Sequence, residues 1–268
     1  MKCKICGTES EPFARAKIIR KYEIQYFKCP KCGFVQTEDP YWLPEVYANP
    51  LQKDTGTVRR NLTMAAKTAA ILQVYFKPGG HFLDFGGGDG MFVRHMRDIG
   101  YDFYWADKYA TNIFAFGFSA PETERFDLLT SFEVFEHLPD PVPEIKAMLA
   151  RSDNVLFSTG IYPSSQPKPE EWSYFSLHGG QHIALYSLET LRFLASKFGV
   201  NLYTDGHSLH LLTKATLVAP FMFPLITRCK AAKLICALRP HACLTDSDHS
   251  RVLHDLDSEI SQSPETLK

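Results

Sequence analysis

Residues 81–107 set the tightest limit on how this chain can fold. They read His81-Phe-Leu-Asp84-Phe-Gly86-Gly-Gly88-Asp-Gly90, run on through Met91-Phe92-Val-Arg-His95-Met96-Arg-Asp-Ile99-Gly100, and close with Tyr101-Asp-Phe-Tyr-Trp-Ala106-Asp107. A short apolar run ending in a carboxylate and three alternate glycines predicts a buried strand that turns sharply into a helix. Met91, Phe92, His95, Met96 and Ile99 recur at helical spacing, and Gly100 is a suitable stop. Side chains at the glycines would hold the backbone away from a ligand lying over the strand end, and the turn calls for positive φ. The unit of strand, glycine loop, helix and strand therefore reads as a nucleotide site. Asp107 falls about twenty residues on, the offset at which a carboxylate meets ribose hydroxyls.

At 268 residues with 45% hydrophobic content, the chain can hold one α/β domain with appendages. A net charge of −1 gives no general field for a polyanion, which counts against a nucleic-acid partner. The N-terminus lacks the apolar core of a signal peptide, and no apolar run approaches the roughly 20 residues of a membrane span. A cytoplasmic protein is expected.

Seven cysteines are an odd number, and the first four fall into two Cys-x-x-Cys pairs, Cys3/Cys6 and Cys29/Cys32, each followed by glycine. Four thiolates on two such turns suit a closed tetrahedral zinc site, structural rather than catalytic because no coordination position stays open. The spacer supplies strand residues in Ile18, Ile24, Tyr26 and Phe27. Residues 1–50 thus read as a zinc ribbon with an aromatic linker, in which Tyr41, Trp42 and Tyr47 either pave a pocket or cement two domains. Residues 51–214 form the principal domain, and 215–268 a tail.

Leu62, Ala65, Ala66, Ala69, Leu72 and Phe76 predict an amphipathic helix ended by Lys77-Pro-Gly-Gly80. Lys108–Glu124 is short for a helix plus a strand, and Asn112–Phe118 reads as a degenerate strand. Phe126–Phe132 is a buried strand, followed by Glu133-Val-Phe-Glu136-His137-Leu-Pro-Asp140-Pro141 and a helix through Leu149 with Asp140 at its start. Glu136 and His137 read either as acid–base groups or as residues that order this loop. Asn154–Ser158 is a further strand. The polar insertion from Tyr162 to Ser187, with Trp172, Tyr174, His178, Gln181 and His182, is long for a connection and reads as a functional lid. Ser187 caps a helix over Leu188–Phe198, and Val200–Tyr203 with Leu209–Leu212 form a closing antiparallel pair.

The pattern Asp84-x-Gly86-x-Gly88-x-Gly90 resembles motif I of class I S-adenosylmethionine (SAM) methyltransferases, and the Phe132–Asp140 stretch resembles the end of their fourth strand. The resemblance spans residues 81–199 and implies a Rossmann-like α/β sheet with an antiparallel seventh strand. It also implies SAM held by Asp84, Gly86, Gly88, Gly90 and Asp107, with Phe132 and Glu133 facing its methionine part and the lead-in helix lying over the cofactor near Asp54, Arg60 and Asn61. With the four-cysteine ribbon in front, the chain is similar to zinc-containing methyltransferases of bacterial sugar and glycan biosynthesis. The deoxysugar C-methyltransferases have a comparable ribbon-plus-domain plan and a Glu-His pair before a Tyr or Phe-Ser segment. His182 falls on that histidine, but Gln181 stands where those enzymes have glutamate, so O- and C-methylation both stay open. The expected function is methyl transfer from SAM to a small-molecule acceptor, a sugar nucleotide or glycan precursor, with His182 as base and Tyr174 positioning the acceptor. The alternatives are an RNA methyltransferase using the ribbon for binding and a non-enzymatic SAM-binding scaffold.

No acidic residue occurs from Gly206 to Thr245, where Lys214, Arg228, Lys230, Lys233 and Arg239 interleave with apolar residues. Residues 215–240 read as a helix packed on the core or at a homodimer interface, or as a peripheral contact with an anionic membrane surface. Cys229, Cys236 and Cys243 recur every seven residues and would share one helix face; residues after Asp255 are expected to fray.

Overall fold

A computed structural model describes residues 1–48, 55–77 and 79–262. The domain boundary expected at 50/51, Asp54, Pro78 and the last six residues of the tail lie outside the described residues. The chain begins with β1 (Glu11–Ile18), β2 (Tyr22–Lys28), β3 (Val35–Thr37) and a short α1 (Leu43–Tyr47), and then enters α2 (Thr57–Tyr75). β4 (His81–Phe85), α3 (Met91–Asp98), β5 (Asp102–Ala106), β6 (Leu128–Phe132), α4 (Pro141–Arg151) and β7 (Asn154–Ser158) follow. β8 (Ala184–Leu185), α5 (Leu188–Phe198), β9 (Asn201–Thr204) and β10 (Leu209–Thr213) complete the sheets, and the tail forms α6 (Phe223–Ile226), α7 (Cys229–Leu238) and α8 (Thr245–Gln262).

Six strands form the central sheet in the order β5-β4-β6-β7-β10-β9. β5, β4, β6 and β7 pair in parallel, whereas β10 runs antiparallel to both its neighbours. Successive residues point to opposite faces, so each central strand feeds two cores. Leu83, Leu129, Val155 and Phe157 join a core with α4, α5 and the N-terminal region. Phe82, Leu128 and Leu156 join the other, with α2, α3 and α6. A sheet covered on both faces calls for the near-continuous apolar strands seen here.

Beyond β5 the expected degenerate strand is reduced further. Trp105 makes a single parallel bridge with Ser119, and Asn112–Phe118 folds into turns. Asn112 explains this, because its side chain accepts from Ala115 N at 2.9 Å and donates to Ala115 O at 2.8 Å, closing a local loop where strand pairing would need an extended backbone. The tail occupies the adjoining surface. Arg97 of α3, 4% exposed, makes a bidentate pair with Asp248 of α8 (2.8 and 2.7 Å), contacts Asp102 and lies 3.7 Å from the centre of the Phe118 ring.

α8 is helical through Gln262, and the rest of the end expected to fray lies outside the described residues. The three tail cysteines do not share a helix face, because α7 stops before Pro240; Cys236 packs against the Ala66 carbonyl, while Cys229 and Cys243 are exposed. α7 packs along α2, and Val218, Phe221, Leu234 and Leu238 stay exposed. Among the described residues no helix is long and apolar enough to cross a membrane.

The N-terminal sheet has the order β1-β2-β3-β8. Ala16, Ile18, Ile24 and Tyr26 alternate inward on the β1–β2 hairpin. Its fourth strand, β8, is donated by the lid of the principal domain, with Val35 opposite Leu185 and Gln36 opposite Ala184. Trp42 is buried and donates its Nε1 proton to the Gly180 carbonyl at 2.9 Å, so this linker aromatic cements the two parts.

Candidate active site

β4 delivers Asp84 to the carboxyl edge of the sheet, where the chain turns through Gly86, Gly88 and Gly90 at φ of +73°, +54° and +85°. All three lie in the left-handed region that a side chain disfavours. A Cβ on Gly88 would meet nothing within 4 Å, whereas one on Gly86 would stand 2.6 Å from Val134 Cγ2. The loop is pressed against the segment after β6 while its tip faces open space.

Asp84 is buried and accepts from Thr130 Oγ1 at 2.7 Å. Burial, reinforced by the Asp107 charge, pushes its carboxyl up to about 7 against the pull of that hydrogen bond. Asp107 follows β5 and braces the loop, with Gly88 N donating to Oδ2 at 3.0 Å and the amides of Tyr109 and Ala110 donating to Oδ1 at 2.7 and 2.8 Å. Oδ1 is filled by its two amide donors, and Oδ2, which takes only Gly88 N, keeps one lone-pair site for a ribose hydroxyl. Phe132 ends β6 on the same edge, and Glu133 follows at φ +56°, a strained conformation for a non-glycine residue. Its amide donates to Ser158 Oγ at 2.8 Å and its Oε1 accepts from the same hydroxyl at 2.6 Å, which holds the strain in place. All seven residues read from the sequence as cofactor contacts therefore gather at the ends of β4, β5 and β6.

A second cluster stands beside this loop. Glu136 and His137 lie in a 3₁₀ turn after β6, Tyr174 in a 3₁₀ turn of the lid, and His182 shortly before β8. Tyr174 Oη donates to Glu136 Oε1 at 2.6 Å and lies 3.3 Å from Thr159 Oγ1. A Cβ on Gly160 would come within 3.0 Å of the Tyr174 ring, so glycine there lets the tyrosine lie flat on the end of β7. His182 Nδ1 donates to the Tyr174 carbonyl at 2.6 Å, and His137 Nδ1 meets Tyr47 Oη of α1 at 3.0 Å. Burial raises the Glu136 carboxyl to about 8, with the Glu133 charge adding to it. Burial lowers both imidazoles, His137 to about 3 with help from the charges of His182 and Arg60, and His182 against the opposing Tyr174 hydrogen bond. Neutral histidines beside a protonatable carboxyl make a site that can accept a proton.

Of the sequence candidates, Tyr174 and His182 come together here, and Arg60 is close enough to act on His137. Asn61 instead lines a small cleft with Met91, Arg94 and Phe114. Thr159 and Ser158 carry no motif signal and are marked only by their hydrogen bonds, whereas Tyr47 belongs to the aromatic linker whose sequence allowed a pocket-lining role.

The four cysteines also converge. Cys3 Sγ lies 3.6 Å from Cys32 Sγ and Cys6 Sγ 3.4 Å from Cys29 Sγ, with all four within 4.8 Å of one another. Ligand sulfurs at about 2.3 Å from a tetrahedral ion stand roughly 3.8 Å apart, so the set fits zinc. The hydrogen bond from Cys32, with the amides of Ile5 and Cys6, pulls the Cys3 thiol down to about 5 against the effect of burial.

The sheet order, the glycine loop and the antiparallel β10 define the Rossmann-like fold of class I methyltransferases. A model of the methyltransferase-domain family matches residues 58–204, more than half of the chain, and the chain belongs to that family. No curated protein matches at a significant level. Among solved structures, the chain is similar to the plantazolicin methyltransferase BpumL in complex with SAH, with 13% identity over 74% of this chain and 86% of that one, at a TM-score of 0.45. It is similar to an O-methyltransferase family 2 protein from Planctomyces limnophilus in complex with apigenin, with 16% identity, a TM-score of 0.42 and 65% coverage of each chain. It thus spans less than two thirds of that relative's length. A possible histamine N-methyltransferase from Thermotoga maritima shows 14% identity over 66% of this chain and all of that one, at a TM-score of 0.41.

Proposed function

We propose that this chain transfers the sulfonium methyl group of SAM to a small-molecule acceptor bound between the glycine loop and the lid, the acceptor being a sugar nucleotide or glycan precursor. The observation that carries the reading is the contact between the two clusters. Gly86 packs on Val134, and Val134 lies between Glu133 at the cofactor edge and the turn that bears Glu136 and His137. SAM bound over Gly86, Gly88 and Gly90, with its ribose on Asp107 and its methionine part toward Phe132 and Glu133, presents its methyl group to that turn. Asp84 supports the loop from beneath. The sulfonium already activates the methyl group, so the protein must align the acceptor and remove one proton. His182 is the proton acceptor: donation from Nδ1 to the Tyr174 carbonyl fixes the tautomer and leaves Nε2 unprotonated. Tyr174, anchored on Glu136, shapes the acceptor side.

Cys3, Cys6, Cys29 and Cys32 hold a structural zinc ion that ties the ribbon to the lid. Ser187 Oγ and Thr190 Oγ1 both donate to the Cys32 carbonyl, at 3.3 and 2.8 Å. The sugar or glycan acceptor rests on the sequence resemblance. Incubating the zinc-loaded protein with methyl-labelled SAM and a panel of nucleotide sugars, followed by product mass, tests it. A product heavier by one methyl group supports the reading, and label confined to non-sugar acceptors contradicts it.

A further inference from the structure

We infer that Glu136, His137 and His182 bind a divalent first-row transition cation, at a site distinct from the four cysteines, and that an oxygen of the acceptor completes its coordination. This rests on reading the same cluster as the acceptor pocket. Three observations carry it. One ligand atom from each residue lies within 4.8 Å of the other two. Glu136 is fully buried, and although its Oε1 takes the Tyr174 hydroxyl, its Oε2 has no hydrogen-bond partner. A lone carboxylate oxygen in the interior is costly unless a cation or donor meets it. Finally, both imidazoles have Nδ1 engaged by an oxygen: the Tyr174 carbonyl fixes His182 with its proton on Nδ1 and its Nε2 lone pair available, and Tyr47 Oη can accept from His137 Nδ1, which permits the same tautomer there. Metal-ligating histidines characteristically carry such an outer partner, which fixes ring orientation and tautomer.

Two imidazoles and one carboxylate leave coordination positions open and suit Mn²⁺, Fe²⁺, Co²⁺, Ni²⁺ or Zn²⁺ better than Ca²⁺ or Mg²⁺. Donors on one ion stand about 3 to 4 Å apart for bonds of about 2.0–2.2 Å. Binding therefore draws the two rings, whose centroids are 5.1 Å apart, in toward Glu136. The site makes the acceptor an oxygen ligand and the reaction an O-methylation. A hydroxyl on the cation gives up its proton to water more readily. Its oxygen forms the new C–O bond as the S–CH₃ bond breaks, and the electron pair stays on sulfur, leaving a methyl ether and S-adenosylhomocysteine. In the loaded site His182 serves as a ligand through Nε2 in place of its role as proton acceptor. Tyr47 brings the N-terminal region into the site as the outer partner of His137.

The test is titration of the zinc-loaded full chain with Mn²⁺, followed by electron paramagnetic resonance and calorimetry, with SAM affinity measured on the same sample. One Mn²⁺ per chain beyond the zinc is expected. Glu136→Gln and His137→Ala should each weaken it roughly tenfold or more, and Tyr47→Phe severalfold, with zinc content unchanged as the check on folding. Failure to bind Mn²⁺ at millimolar concentration, or binding that survives in both ligand variants, overturns the cation site. If that occurs with SAM affinity intact, the methyltransferase reading stands. Absence of SAM binding counts against that reading, and the Mn²⁺ isotherm alone then decides the cation.

Discussion

Asp84 carries two opposed demands. Its carboxyl, pushed up to about 7, keeps a proton that the unfolded chain releases near pH 4. Between those values the native state binds more protons, so the contribution of Asp84 to stability falls as pH rises. The cost falls at the start of the glycine loop, where Asp84 Oδ2 would stand 2.9 Å from a Cβ on Gly87. Asp84→Asn keeps an acceptor for Thr130 and removes the buried charge. Thermal melts at pH 8 should show the variant higher by about 2–4 °C or more, while calorimetry shows SAM binding roughly tenfold weaker or worse. A lower melting temperature with unchanged affinity contradicts the assignment. His182, in contrast, donates its hydrogen bond within the lid, to the Tyr174 carbonyl, and not to the loop. His182→Ala should abolish transfer of labelled methyl to an acceptor and leave SAM affinity nearly intact; turnover at the wild-type rate removes it from the chemistry. Glu133 ties the two regions together, and its left-handed backbone marks the point where the chain leaves the sheet to form the site.

α8 and β8 are the elements whose placement the amino-acid order conceals. Asp248 and Arg97 each read as ordinary surface charges, yet they form a buried bidentate pair across 151 residues. Burial alone would raise the Asp248 carboxyl, but Arg97 and Arg94 outweigh it and hold the group below its ordinary value. Its stabilising effect is thus complete above about pH 4 and is lost as pH falls through the depressed native value. Asp248→Ala leaves Arg97 with only Asp102 and the Phe103 carbonyl and should destabilise the fold by about 3 kcal/mol, read by denaturant unfolding; α8 should also become sensitive to protease. No change in either measure would mean that the tail does not dock through this pair. The glycine loop, the capped α5 and the β9–β10 pair were legible because their signals are local: left-handed glycines, Ser187 donating and accepting at the helix start, apolar alternation. β8 is only two residues long, and its partner lies in the ribbon, so no local pattern announces it. Likewise Asn112 turns a strand-like sequence into a loop through two side-chain bonds that composition does not reveal.

Seen as one molecule, the N-terminal region is knitted to the lid and to the Glu136–His137 turn rather than appended to the sheet. Its sheet takes β8 from the lid, Cys32 receives both hydroxyls at the start of α5, and Tyr47 reaches His137. Zinc should therefore set the order of the lid more than that of the cofactor loop. Removing it with a chelator is expected to speed amide hydrogen exchange at residues 183–190 well before residues 84–90, and equal protection at both would contradict the coupling. The legible half of the candidate site is the glycine-loop half, since Asp84, the three glycines and Asp107 lie within one βαβ unit. The cluster around Glu136 draws on α1, the end of β7, the turn after β6 and the lid, which only the folded chain brings together. The account as a whole rests on the pocket over that glycine loop recognising an adenosyl sulfonium. Calorimetry of the zinc-loaded chain with SAM and with S-adenosylhomocysteine tests it most directly: both should bind with one site per chain, and the absence of heat with either compound would contradict it.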